Sequence, residues 1–315
     1  MSRNVVYYLI PVVIWGSTWT AIRFQLGVVD PLVSIGYRFM IAATVLFGYC
    51  LIRKINLRFR KTDHLFFIMQ GVLLFGINYW LVYEAEKTLT SGIVALIFPT
   101  LIFMNILNGA LWLNEPIRKP VLLGGFIGIA GVGLVFWDEL RSFSVSGGSL
   151  TALLLVLLSV CFASLGNITS ARNQKRNLPV LQTNGFGMLY GGLAMLAAAV
   201  VTGKPFVMDL TFAYIGSLLY LSLFGSIIAF WAYLTLLGRI GADRVAYTAL
   251  IVPIIALTFS TVLEDYTWTF PSLAGVVVIL LGNLLILKKQ RARPEDDNHT
   301  EDPERDPGLE GRMAA

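Results

Sequence analysis

The side chains with ligand-binding chemistry in this sequence are almost all uncharged, and they lie inside apolar runs. Between residues 89 and 112, Ser91, Asn105, Asn108 and Trp112 fall on or near one helical stripe, with Phe98 and Ile102 between them. The preceding run carries Asn78, Tyr79 and Tyr83, the last two an i, i+4 pair. Further sets are Trp15, Thr18 and Trp19; Asn167, Thr169 and Ser170; Ser222, Ser226 and Tyr233; and Tyr247 with Thr248. Polar groups in such a setting face a cavity or a partner helix, because hydrocarbon satisfies neither a donor nor an acceptor. Amides and hydroxyls beside aromatic faces suit a zwitterion: the polar groups take its ammonium and carboxylate, and the rings hold the rest, cation included. Trp15, Asn78, Tyr79, Tyr83, Phe98, Asn105, Asn167, Ser226, Tyr233 and Tyr247 are therefore the expected substrate-binding set. The same residue types also join helices to one another or form interfacial belts, and that reading stands beside the first.

Two prolines, Pro99 and Pro253, lie within apolar runs and are the expected hinges. Proline removes a backbone hydrogen bond, and matched interruptions in two halves of a chain point to a carrier's site. Catalytic chemistry, by contrast, finds no material. The two histidines, His64 and His299, fall in a loop and a tail, so no metal centre is expected, and no Walker or G-x-S-x-G motif occurs. No cofactor is expected, and an enzyme is excluded on these grounds. Cys50 and Cys161 both sit in apolar runs and read as packing residues. Of nineteen acidic residues, eight follow residue 290 and the others fall at run ends or in loops. A carboxylate relay near the middle of a span is thus missing, which points to downhill transport without a tightly coupled ion. Arg38, a few residues into its run, is expected to snorkel and anchor a helix end, with pairing to Glu84, Glu86 or Asp30 in an outer gate as the other reading.

The elements that position these residues follow from composition. Hydrophobic residues make up 56% of the 315, charged residues only 14%, and mean hydropathy is +0.72, far outside the range of soluble domains. The charge is segregated into short clusters between apolar runs, so the net +5 reflects membrane topology, and no nucleic-acid partner is expected. Ten runs are long enough to cross hydrocarbon, at roughly 5–25, 32–52, 65–83, 89–112, 119–137, 149–170, 179–201, 211–236, 243–263 and 270–287. Lys and Arg near the run ends divide seventeen to five between the two sides, which places both termini in the cytoplasm. Lys288 opens a basic, then acidic and proline-containing stretch that reads as a disordered cytoplasmic tail.

A shift of 151 residues lays Ile77, Trp80, Val94 and Ala95 on Ile228, Trp231, Val245 and Ala246, and Gly124 and Gly131 on Gly275 and Gly282. A shift of 150 lays Gly16 and Ala21 on Gly166 and Ala171. Residues 1–142 and 143–290 then form two five-helix repeats, with 291–315 as the tail. An odd number of spans per repeat inverts the second half relative to the first, an architecture of secondary transporters that rock around a central site.

The chain resembles the EamA, or drug/metabolite transporter, superfamily in its ten-helix form. The resemblance rests on Trp15-Gly16-Ser17-Thr18, Arg38-Phe39, Pro99, and Leu113-Asn114-Glu115-Pro116. In the second half it rests on Pro253, Leu263-Glu264-Asp265-Tyr266-Thr267-Trp268, Gly275 and Gly282. What it implies is an all-α integral membrane protein, a basket of helices around a central cavity. It further implies export of small metabolites across a bacterial inner membrane, amino acids first, with nucleosides, sugars or drugs behind them. The expected partners are that small-molecule substrate and membrane lipid, and the expected state is a monomer or weak dimer. A solute channel or receptor is the rival reading.

Overall fold

The computed structural model describes residues 3–89, 94, 97–142, 149–263 and 268–290, and among them every regular element is a helix. The long helices are α1 (Arg3–Arg23), α2 (Pro31–Ile52), α3 (Lys61–Glu86), α4 (Phe98–Leu113) and α5 (Lys119–Val135). After them come α6 (Ser149–Lys175), α7 (Val180–Val201), α8 (Phe212–Ile240), α9 (Thr248–Leu263) and α10 (Phe270–Gln290). Five of these, α2, α3, α6, α7 and α8, are long and apolar enough to cross a bilayer; Phe98–Leu113, Lys119–Val135 and Phe270–Gly282 are shorter apolar helices. Several helices run past the apolar stretch that predicts them. α3 starts at Lys61 and takes in His64, expected in a loop, and α6 continues to Lys175, because helical hydrogen bonding continues into polar flanks.

Local chemistry sets the ends. Asp30 accepts from the Leu32 amide at 3.0 Å and Pro31 opens α2, where a missing N–H costs nothing. α4 closes on Asn114 in the left-handed region at φ 53°, with Pro116 just beyond. The run expected at 243–263 is divided: a short turn of helix, Ala242–Val245, precedes α9. Both α3 and α8 contain a π-helical stretch, Gly71–Ile77 and Leu221–Ile228, which coincide to within one residue under the 151-residue shift.

The body is inside-out relative to a soluble domain. Large apolar side chains such as Leu111, Phe126 and Leu154 are exposed, while Gln25, Arg38, Asn105, Asn167 and Ser226 are buried. Small residues allow the closest helix contacts. α5 and α10 meet backbone to backbone: a Cβ on Gly275 would stand 2.5 Å from the Gly131 carbonyl oxygen, and one on Gly282 would stand 3.0 Å from that of Gly124. As residue number rises on one helix it falls on the other, so the pair is antiparallel. α2 and α7 pair antiparallel as well, Gly36 meeting Leu196, Gly192 meeting Met40 and Gly185 meeting Phe47. Other packed pairs come in mates: α1 with α9 and α6 with α4, α1 with α8 and α6 with α3, α3 with α7 and α8 with α2.

Gly275→Val is expected to lower the melting temperature of the detergent-solubilised protein, at a cost of about 1–3 kcal/mol or more from overpacking. Gly216→Ala, whose added methyl meets open space, is expected to leave it unchanged or slightly raised. Equal melting of both variants and the parent would mean that α5 and α10 do not touch as described.

Candidate functional site

The middles of α1, α3, α6 and α8, with the ends of α4 and α9, enclose a cavity of about 100 Å³. Seven of the twelve residues singled out by sequence line it: Trp15, Asn78, Tyr79, Phe98, Asn167, Tyr233 and the expected hinge Pro253. Thr18 and Thr248 line it too. Its other walls are apolar (Ile22, Leu74, Val82, Leu101, Ala163, Phe230, Ala249 and Val252), and sequence gives them no signal, since they are apolar residues among apolar residues.

One wall is aromatic. The Trp15 ring meets Phe230 edge-on and Tyr233 at a tilt, each with centroids 5.0 Å apart, and its indole N–H donates to the Gly225 carbonyl at 3.1 Å. Phe75, Phe39 and Tyr79 continue that wall behind Phe230. The amides form the second chemical feature. Asn167 donates from Nδ2 to the Tyr233 hydroxyl at 3.0 Å and to Asn105 Oδ1 at 3.5 Å, and Asn78 donates back to the Leu74 carbonyl of its own helix at 3.1 Å. The oxygens Oδ1 of Asn78 and Asn167 are both buried without a hydrogen-bond partner. An amide oxygen with idle lone pairs can accept from the N–H groups of an ammonium, and an aromatic face attracts its charge.

Past the cavity-lining Leu101, Asn167 and Tyr233, polar contacts close the helices on one another at one end. Asn105 donates to the Ala242 carbonyl at 2.8 Å, Asn108 to Ser164 Oγ at 2.9 Å, and Gln174 to the Leu234 carbonyl at 2.8 Å. Beyond them lie the ion pairs Lys175–Glu115 at 2.9 Å and Arg118–Asp243 at 3.5 Å.

Five expected residues lie off the cavity, each for a visible reason. Asn105 is turned into the closing contact just described. Tyr247 donates its hydroxyl to the Val121 carbonyl on α5. Ser226 accepts from Arg38 Nε at 2.9 Å and donates to the Leu221 carbonyl of its own π-helical stretch. Tyr83 is fully buried one turn beyond Tyr79. Pro99 sits in the 3₁₀ turn Phe98–Thr100 that opens α4, next to the cavity-lining Phe98. On the helix 4 stripe, Trp112 is 69% exposed and faces outward. Ser91 and the stretch 264–267 lie outside the described residues.

Two charged groups depart from expectation. Arg38 does not snorkel; it is 1% exposed, because α3 and the π-helical stretch of α8 close over it. Glu86 is 9% exposed with both carboxylate oxygens lacking a hydrogen bond, and the charge acting on it is that of Arg23. The helical body does therefore hold a carboxylate, at the end of α3, which apolar windows miss because Glu86 lies in a charged cluster with Glu84 and Lys87.

The EamA-like transporter family model matches this chain twice, over residues 3–137 and 150–288. The chain is 25% identical over 288 residues to protein PagO of Salmonella typhimurium, covering 91% of this chain and 93% of that one. It is 27% identical over 291 residues to the uncharacterized inner membrane transporter YedA of Escherichia coli, covering 90% and 92%. A probable amino-acid metabolite efflux pump of Escherichia coli is 26% identical over 299 residues, covering 90% and 94%. Among solved structures, one crystal structure superposes with a TM-score of 0.76 at 16% identity, over 93% of this chain and 99% of that one, a likeness of fold. The apolar helices, the cavity between them and the two family matches lead to one assignment: the chain is a membrane transporter of the EamA-like family.

Proposed function

We propose that the protein exports small metabolites, amino acids first, across a bacterial inner membrane by alternating access, down the solute's own gradient. The carrying observation is a cavity of aromatic faces and unpartnered amide oxygens enclosed within the helical body. The amino-acid class is supported by the name of one relative, and the inner-membrane location by that of another. Trp15, Asn78, Tyr79, Phe98, Asn167 and Tyr233 touch the substrate in this reading, while Tyr83, Asn105, Ser226 and Tyr247 hold the helices that carry them.

Alternating access follows from ten spans arranged as two inverted repeats, residues 1–142 and 143–290, with 291–315 as a cytoplasmic tail. Three observations support that arrangement. The family model matches once in each half. The π-helical stretches fall at equivalent places. Equivalent helices pack antiparallel on each other, α5 on α10 and α2 on α7. Two units related this way rock about the site between them, with Pro99, in the turn that opens α4, and Pro253, inside α9, as the hinges. The closed end, with its ion pairs and amide contacts, then faces the cytoplasm, and both termini lie on that side. The protein works as a monomer or weak dimer.

Purified protein in liposomes is expected to exchange radiolabelled amino acids with saturable kinetics, and more efficiently than nucleosides or sugars. Asn167→Ala and Trp15→Ala are each expected to reduce that flux about tenfold or more, as loss of a polar or aromatic contact to a bound solute does. Leu111→Ala, on the exposed surface, is expected to leave it unchanged. Non-saturable flux would favour a channel, and exchange restricted to nucleosides or sugars would move the substrate class. Glu86 decides the downhill part: accumulation driven by an imposed proton gradient, abolished in Glu86→Gln, would replace facilitated export by proton coupling.

Cysteines introduced at Arg58 and Arg239 are expected to be labelled from the cytoplasmic face, and one at Lys204 from the opposite face. Labelling of Arg58 and Lys204 positions from the same side would remove the inverted arrangement.

A further inference from the structure

Arg38 is the bulkiest fully buried side chain among the described residues. Its guanidinium offers five N–H donors and cannot shed its charge. Nε donates to Ser226 Oγ at 2.9 Å, and the hydroxyls of Tyr79 and Tyr83 lie beside the guanidinium. The flat face rests on Tyr79, 4.5 Å from the ring centroid, and on Phe39 at 5.1 Å. Nη1 is buried with no hydrogen-bond partner, and so is the hydroxyl of Tyr83 beside it. Among the described residues no carboxylate pairs with this cation: Glu84 is held by Lys87, Asp30 by Lys204, and Glu86 stands under the charge of Arg23. A buried cation without a counter-ion is disfavoured unless an anion joins it.

Arg38 does not line the cavity; it stands behind residues that do. Tyr79, on which the guanidinium lies, is a cavity wall. On the α8 side only a glycine intervenes: a Cβ at Gly225 would meet Thr18 Cγ2, another cavity residue, at 3.2 Å and Arg38 Nη2 at 3.4 Å. The Gly225 carbonyl is itself held by Trp15. Behind the cavity wall thus stands Arg38 with Nη1 unfilled, and in the wall are the unfilled acceptors of Asn78 and Asn167.

We propose that Arg38 receives the carboxylate of the transported solute, with the Tyr83 hydroxyl as a second donor, so that the substrate class is carboxylate-bearing and zwitterionic. This rests on the transport reading above and narrows it. A guanidinium matches two carboxylate oxygens side by side, which an amine, a sugar or a neutral nucleoside does not supply. The idle amide oxygens take the ammonium, and the aromatic wall takes the side chain.

The test measures binding and flux separately. Purified protein in detergent is titrated with neutral α-amino acids, their carboxamides and their decarboxylated amines, and binding is read from the thermal shift. The acids are expected to bind about 30-fold or more tightly than the amides and amines. Arg38→Gln is expected to erase that preference, and Arg38→Lys, which keeps the charge and loses the fork, to retain part of it. The acid-versus-amide comparison in the unaltered protein needs no variant, so misfolding of Arg38→Gln leaves it decisive. Amides or amines binding as well as acids, no acid binding at all, or an unchanged preference in Arg38→Gln would each overturn the proposal. Arg38-dependent binding of acids without flux in liposomes would overturn the transport reading and leave the carboxylate site standing.

Discussion

The constraint on which this structure depends is that a polar atom inside an apolar shell has only other protein atoms, or a cargo, to satisfy it. Almost every buried polar side chain here obeys the first option. Gln25 donates to Ser217 and the Tyr214 carbonyl and accepts from Ser34; Gln70 donates to Asn184 and accepts from Asn173; Asn108 donates to Ser164. These contacts tie the turn after α1 to α2 and α8, α3 to α6 and α7, and α4 to α6. They fix the scaffold so that the few unsatisfied atoms stand out. Of nine such atoms among the described residues, Asn78 Oδ1, Asn167 Oδ1 and Arg38 Nη1 lie in or just behind the walls of one cavity, and that coincidence is what supports the proposed site.

Much of the architecture was legible because hydrocarbon imposes a coarse code. Length and apolarity place α2, α3, α6, α7 and α8 within a few residues, and Asn114 with Pro116 marks the end of α4. What length cannot encode is where a helix breaks internally. The turn between Ala242–Val245 and α9, and the π-helical stretches of α3 and α8, depend on packing across helices rather than on composition. Those stretches carry ordinary apolar residues and two or three small ones, so no residue announces them.

The site was legible in part, for a related reason. Type and helical face identified Trp15, Asn78, Tyr79, Asn167 and Tyr233, because an amide or ring in an apolar run has few places to go. The same reasoning could not tell Asn105 from Asn167. Both are buried amides, and only the position of the Ala242 carbonyl decides that one serves a helix joint. The burial of Arg38 and Glu86 is not legible, because position along a helix is not depth. A residue near a helix end becomes buried when neighbouring helices extend past it, as α8 extends past Arg38, and a single-helix view contains no neighbours.

The contact between α5 and α10 has a mechanical consequence. Where Gly131 and Gly275 meet, no side chain separates the two backbones, so there is no layer of rotamers to yield, and sliding one helix along the other would drive main chain into main chain. Such a seam behaves as a weld. In the proposed alternating-access cycle this pair would stand as a fixed spine, and the motion would fall on helices whose contacts are made of side chains that can let go.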